Sequence, residues 1–255
     1  MQQSNQILGT EINKQTYLEA LARVQASREN PQPEIQTTQT TEDFWRVEGV
    51  EYRNEIYTVD LSKSILFDGK SKTQDQWAEY SMQAKQSGDF YIGDFPLYHA
   101  LFTTLFNQEN TTQAQEARKF LKKQFEEKWL ATLTRIRYTS SGKDEVIHNF
   151  GLDDKYSIKE TMIGPDEWIK NSQNTNYLEA LLGTSDNEKI NKVYKWIIGN
   201  DAYIGRINST PKNVVDRVVG FGADPGGADL YCGWYSSISS GSLGVRAKRH
   251  TPDLY

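Results

Sequence analysis

The segment RVVGFGADPG, residues 217–226, is the part of this sequence that most suggests chemistry. It reads as a strand entering a glycine-rich turn of the kind that cradles a dinucleotide pyrophosphate. That chemistry needs a helix directly after the loop, whose first amides hold the phosphates, and then a second parallel strand bearing an acid. Here Pro225 and GGADLYCGWYSS follow, and only about thirty residues remain, so the helix has neither the room nor the composition. No GxxxxGK[ST] loop is present. The three histidines, His99, His148 and His250, are isolated and none has metal-ligand spacing. His99, inside PLYHALF, reads as a packed core residue, while His148 alternates with Val146 and can face either side of a sheet. Cys232 lacks a histidine partner to activate it. Asp224 and Asp229 offer two oxygen ligands for Ca²⁺ without the denser spacing of a calcium loop. Glu126 and Glu127, adjacent on one helix, cannot converge as an acid/base pair. No catalytic constellation survives, so the expectation is a protein that is not an enzyme, with no cofactor and no metal.

The elements that would position these residues form an α+β pattern. FWRVEGVEYRNEIYTVDLS (44–62) reads as a strand hairpin turning at Arg53-Asn54. A helix is predicted over 73–88, with Thr73 and Gln76 at capping-box spacing and Gly88 as its stop. A second helix opens at Pro96 and runs to 108. The longest is predicted over 111–133, with Phe120, Leu121, Phe125, Trp129 and Leu130 near one stripe. Strands follow in TLTRIRYTSS and KDEVIHNFG, joined at Ser141-Gly142, and in KYSIKETMI. Two short helices, 174–183 and 185–199, each close on a glycine. DAYIGRINS, VVDRVVGFG, ADLYCGW and SLGVRAKR return to strand. Strands at both ends enclose a helical middle, and no βαβ alternation is sustained. The expected organisation is a helical N-terminal arm (10–27) and polar linker over 1–43, then a single domain over 44–255.

The 255 residues carry a net charge of −5 and a pI near 5.4. That balance argues against a partner bound through phosphate neutralisation, so no nucleic acid is expected. The KFLKK run at 119–123 sits opposite Glu126 and Glu127 and reads as a solvated helix face. No apolar run reaches membrane-spanning length and the N-terminus lacks a signal-peptide core. The expectation is therefore a cytoplasmic or non-classically displayed protein. One cysteine excludes an intramolecular disulfide.

From Val218 to Ala247 the composition changes. Lys, Glu, Gln and Met, about a fifth of the chain, are absent, and seven Gly, five Ser, two Tyr, one Trp and the single Cys stand there instead. A flexible loop is one reading of such a stretch. Against it, Leu230, Trp234, Ile238, Leu243 and Val245 are spaced as anchors, and the stretch ends in the alternating strand LGVRA. Tyr, Ser, Gly and Trp on a held backbone is the mixture of antibody paratopes.

The run of strand, irregular loops with an internal Trp, and closing LGVRA strand resembles the end of C-type-lectin folds of the formylglycine-generating-enzyme subgroup. More specifically it is similar to the variable proteins of diversity-generating retroelements, of an archaeal-like kind. The resemblance implies a C-type-lectin-like fold with a helical middle and a loop-rich C-terminal ligand-binding region, variable over about 218–247. In that family a template is rewritten at adenines, often in AAC codons. The resulting codons end in C and cannot encode Lys, Glu, Gln, Met or Trp, which leaves Trp234 as fixed scaffold. The absence of Asn from the stretch departs from that pattern. The resemblance further implies that EIYTVDL and LGVRAKR pair. Leu230, Trp234, Leu243 and Val245 would be framework. Asp224, Gly226, Gly227, Asp229, Tyr231, Gly233, Tyr235, Ser236, Ser237, Ser239 and Ser240 would be displayed toward a protein or other surface ligand. The oxidase chemistry of the related enzymes is not implied, since Cys232 has no second thiol. Two other readings stay open. One is a carbohydrate-binding module or enzyme on a related fold, stacking Trp234 and the tyrosines on sugar rings. The other is a structural protein of a virus or mobile element.

Overall fold

A computed structural model describes residues 43–207 and 210–250, the side chains of 159–162 excepted, and these residues belong to one unit, Thr41–Tyr255. The arm and linker expected over 1–43 lie outside the described residues but for Asp43. The fold is α+β, with two sheets and a helical layer.

Strands β1 (Phe44–Tyr52) and β2 (Glu55–Ile65) form the expected hairpin. Arg53 and Asn54 both take positive φ, 54° and 61°, the backbone of a two-residue turn that matches strand twist. The last strand, β10 (Leu243–Arg249), runs antiparallel on the other side of β2, with Val245 opposite Leu61 and Ala247 opposite Val59. The pairing expected between EIYTVDL and LGVRAKR is thus present. Asp60 ties all three strands, accepting from Arg46 Nε at 2.8 Å and Arg246 Nη2 at 3.0 Å.

Helix α1 (Gln74–Ser87) has both halves of the Thr73/Gln76 capping box and ends at Gly88 with φ 77°. Helix α2 (Phe95–Asn107) starts where Asp94 accepts from the Leu97 amide at 3.0 Å, with Pro96 in the first turn. Helix α3 (Thr112–Glu127) is shorter than predicted. Lys128 is extended, and Leu130–Tyr138 forms β3, the strand joining β4 (Asp144–His148) to β8 (Val215–Asp224). The alternating Thr132, Thr134 and Ile136 favour a pleated, two-sided burial that a helix cannot give. Trp129 consequently leaves the helix stripe. Between Ala131 and Arg135 the register against β8 shifts, and the buried Gln74 amide donates at 2.9 Å to the carbonyls of both Thr132 and Thr134.

The remaining elements are β5 (Tyr156–Met162), β6 (Glu167–Trp168), α4 (Thr175–Leu182), α5 (Asn187–Ile198), β7 (Ala202–Gly205) and β9 (Gly227–Tyr235). The larger sheet runs β5-β4-β3-β8-β9-β7-β6, antiparallel except where β7 lies parallel to β9. Helices α2, α3 and α5 bury its inner face. Phe221 stacks there on Phe125 at 4.8 Å and on Phe95 at 5.8 Å. A second cluster, holding Phe44, Trp77, Phe90, Leu133 and Val218, packs elsewhere around the sheet. Among the described residues no helix is long and apolar enough to cross a membrane.

His99 is a core residue as expected, 3% exposed and stacked on Tyr194 at 5.7 Å. Burial pushes it down from 6.5 to about 3, so at neutral pH the ring is uncharged. Burial pushes His148 down as well. On acidification the unfolded chain binds protons that the folded one refuses, so these histidines' contribution is full above about pH 6.5 and falls below it. His99→Leu is expected to make that fall shallower between about pH 6.5 and about pH 5, read from urea midpoints. An equally steep fall in the variant contradicts this assignment.

Candidate ligand-binding face

The Val218–Ala247 stretch is more regular than its composition suggests. Most of it is the β8–β9 hairpin and the start of β10, with only the turn at 225–226 and residues 236–242 outside these strands. At the hairpin tip Asp224 Oδ1 accepts from the amides of Gly226 (2.7 Å) and Gly227 (3.1 Å), closing the turn with its own side chain. Gly227 lies against the Asp201 carbonyl so closely that a Cβ there would overlap it.

Strand β9 is hydrogen-bonded on both sides. Asp229 faces Gly222 of β8 and Tyr203 of β7, and Tyr231 faces Gly220 and Gly205. Ala228, Leu230 and Cys232 point inward and are buried. A bulge between Val218 and Gly220 changes the phase, so that Tyr231 and Trp234 both come to line one open groove. The glycines are its floor. A Cβ on Gly205 would stand 2.9 Å from the Tyr231 ring, one on Gly220 3.0 Å from Trp234, and one on Gly222 3.0 Å from Trp129. Trp129 meets Trp234 at 5.8 Å and Tyr231 at 6.0 Å, its own ring 40% exposed. With Asp229 these three rings enclose a groove of about 230 Å³.

Asp229 is pushed up to about 6 by burial and by the nearby charges of Asp224 and Asp166. Its Oδ1 is covered and has no hydrogen-bond partner among the described residues. The Cys232 thiol is fully buried and pushed up by that burial, which leaves it inert as a nucleophile.

Of the residues named from the sequence, Asp224, Gly226, Tyr235, Ser237 and Ser239 are exposed, and Asp229, Tyr231 and Ser236 are half-buried on the same surface. Gly227, Gly233 and Ser240 are buried. Ser240 is drawn in because its backbone bridges Lys72 and its carbonyl accepts from Trp77 Nε1 at 2.9 Å. Ile238, expected as an anchor, is exposed, since the turn closed by its amide on the Tyr235 carbonyl points its side chain out. Leu230, Leu243 and Val245 are buried framework, whereas Trp234 is both wall and framework. Sequence reasoning missed Trp129 as a groove residue and missed the glycine floor.

A larger cleft of about 610 Å³ lies between the β1–β2 turn and α4, lined by Glu51, Arg53, His148, Tyr156 and Glu179 among others. Its His148 is engaged at both nitrogens, by Thr134 Oγ1 at 2.9 Å and the Ala180 carbonyl at 2.8 Å. Among the described residues no three His, Cys, Asp or Glu side chains converge as a metal site.

No protein-family model matches the chain. No curated protein matches it. A solved structure, described as "Accommodation of massive sequence variation in Nanoarchaeota by the C-type lectin fold", is similar over 72% of this chain and 100% of its own. The identity is 9% and the TM-score 0.41. Similarity at that level is too distant to fix a fold, and the α+β description stands on strand order and register.

Proposed function

We propose that this chain is a ligand-binding display protein with a C-type-lectin-like fold, its C-terminal surface diversified by retroelement mutagenesis at adenines. The observation that carries the reading is a coincidence of composition with geometry. The stretch lacking Lys, Glu, Gln and Met presents Asp229 and Tyr231 from a strand pinned between β8 and β7, and Tyr235 and the serines from the end of β9 and the turn that follows. Trp234 apart, every outward residue there, from Asp224 and Asp229 through Tyr231, Tyr235, Ser236, Ser237, Ile238 and Ser239, is of a type that a codon ending in C supplies. Tyr231 and Tyr235 supply contact area at low entropic cost, and the serines and glycines adapt to the partner. The pairing of β2 with β10 fits a frame that stays fixed while the face changes. The test is to sequence the DNA flanking the reading frame, where a near-copy of the segment encoding 218–247 is expected.

A further inference from the structure

The groove of Trp129, Tyr231 and Trp234 has π faces and one carboxylate among its lining residues, and no basic side chain. We infer that it takes a basic side chain of a protein partner, an ammonium or guanidinium on a flexible stem, held over the indole faces beside Asp229. This rests on the reading of the face as a binding surface and adds the chemistry of what is bound.

Three observations converge on positive charge. Indole faces are the best aromatic partners for a cation, and Trp129 and Trp234 present two at an interplanar angle of 71°. Asp229 carries a covered, unpartnered oxygen, and a carboxylate kept from water without a donor favours a positive neighbour. The arginines beside the floor and on β8 are used elsewhere. Arg206 pairs with Asp144, and Arg217 lies over the Tyr235 ring at 4.1 Å. A volume of about 230 Å³ suits one side-chain head better than a chain of sugars. Burial, Asp224 in the hairpin turn and Asp166 before β6 push Asp229 up, while Tyr203 on β7 is itself pushed up by its burial and by Asp166 and Asp229.

The experiment titrates the full chain with a short peptide carrying one lysine, with its Nε-acetylated form and with a neutral trisaccharide, following indole resonances and tryptophan fluorescence. The lysine peptide is expected to shift the Trp129 and Trp234 signals saturably, with the acetylated form about tenfold weaker. Asp229→Asn is expected to weaken the lysine peptide by about tenfold while the urea midpoint does not fall, since the substitution removes a carboxylate that burial and its acidic neighbours disfavour. Binding is expected to decline as pH falls through about 6, where Asp229 takes up its proton. Equal binding of the acetylated peptide, preference for the trisaccharide, or indifference to Asp229→Asn overturns the inference. A parallel selection from a random peptide library, against the chain and against the Tyr231→Ala/Trp234→Ala variant, separates the two claims. Ring-dependent binders rich in Lys or Arg support the cation. Ring-dependent binders without them overturn it and leave the binding face standing. No ring-dependent binder at all contradicts both.

Discussion

Replacing Asp144 by Asn, or Arg206 by Met, is expected to destabilise the domain by about 3–5 kcal/mol, the effect of leaving one member of a buried ion pair alone. The Asp144 side chain is wholly buried and that of Arg206 is 9% exposed. Arg206 Nη2 and Nε donate to the two carboxylate oxygens at 2.5 and 2.8 Å, and the Gly164 amide adds a third donor at 2.9 Å. The guanidinium also lies over the Tyr138 ring at 4.9 Å. Each charge is therefore tolerated inside only because the other is present. Arg206 directly follows Gly205, the residue beneath Tyr231, so this pair fixes the floor of the groove as well as the end of β7. Urea denaturation of both single variants checks it, with Asp144→Leu/Arg206→Met expected to recover part of the loss. Single variants within about 0.5 kcal/mol of the parent would show that the pair is not holding this corner.

The second large effect is a contrast within one strand and its turn. Leu230→Ala is expected to cost about 2–5 kcal/mol, because a fully buried side chain leaves a cavity that β8 and the helices cannot close. Changes at Tyr235, Ser237 and Ser239, whose side chains reach water, are expected to stay within about 0.5 kcal/mol. Denaturation midpoints of the four single variants measure the contrast. A display surface needs it, since a face that can be rewritten must contribute little to its own support. If Ser237 and Ser239 variants lose as much as Leu230→Ala, the stretch is core.

The helix boundaries set by local chemistry were legible in the sequence. Thr73 with Gln76, Pro96, and the closing glycines 88, 183 and 199 all sit where their backbone needs place them. The overrun of α3 shows the limit of that reading. Apolar spacing from Leu121 through Phe125 to Trp129 continues without a Gly or Pro stop, and only pairing with β8, some ninety residues later, makes 130–138 a strand. The groove was half legible. Tyr231 and Asp229 belong to the displayed set that the resemblance implies, but Trp129 is a hundred residues distant and carries no local mark of belonging with them. Trp234 was read as scaffold because its codon falls outside the set expected of the variable positions, and the bulge that turns it toward the groove is not visible in the sequence. Gly205, Gly220 and Gly222 are the room in which three rings lie, a role that strand spacing alone does not mark.

The claim of a diversified binding face is tested most directly by sequencing the DNA on either side of this reading frame. The expected result is a near-copy of the segment encoding Val218–Ala247, beside a reverse transcriptase gene, differing only where it carries adenine. Its differing codons should be those of Asp224, Asp229, Tyr231, Tyr235, Ser236, Ser237 and Ser239, and should spare the buried Leu230, Leu243 and Val245 together with Trp234. No such copy, or a copy whose differences fall on the buried residues, would contradict the account.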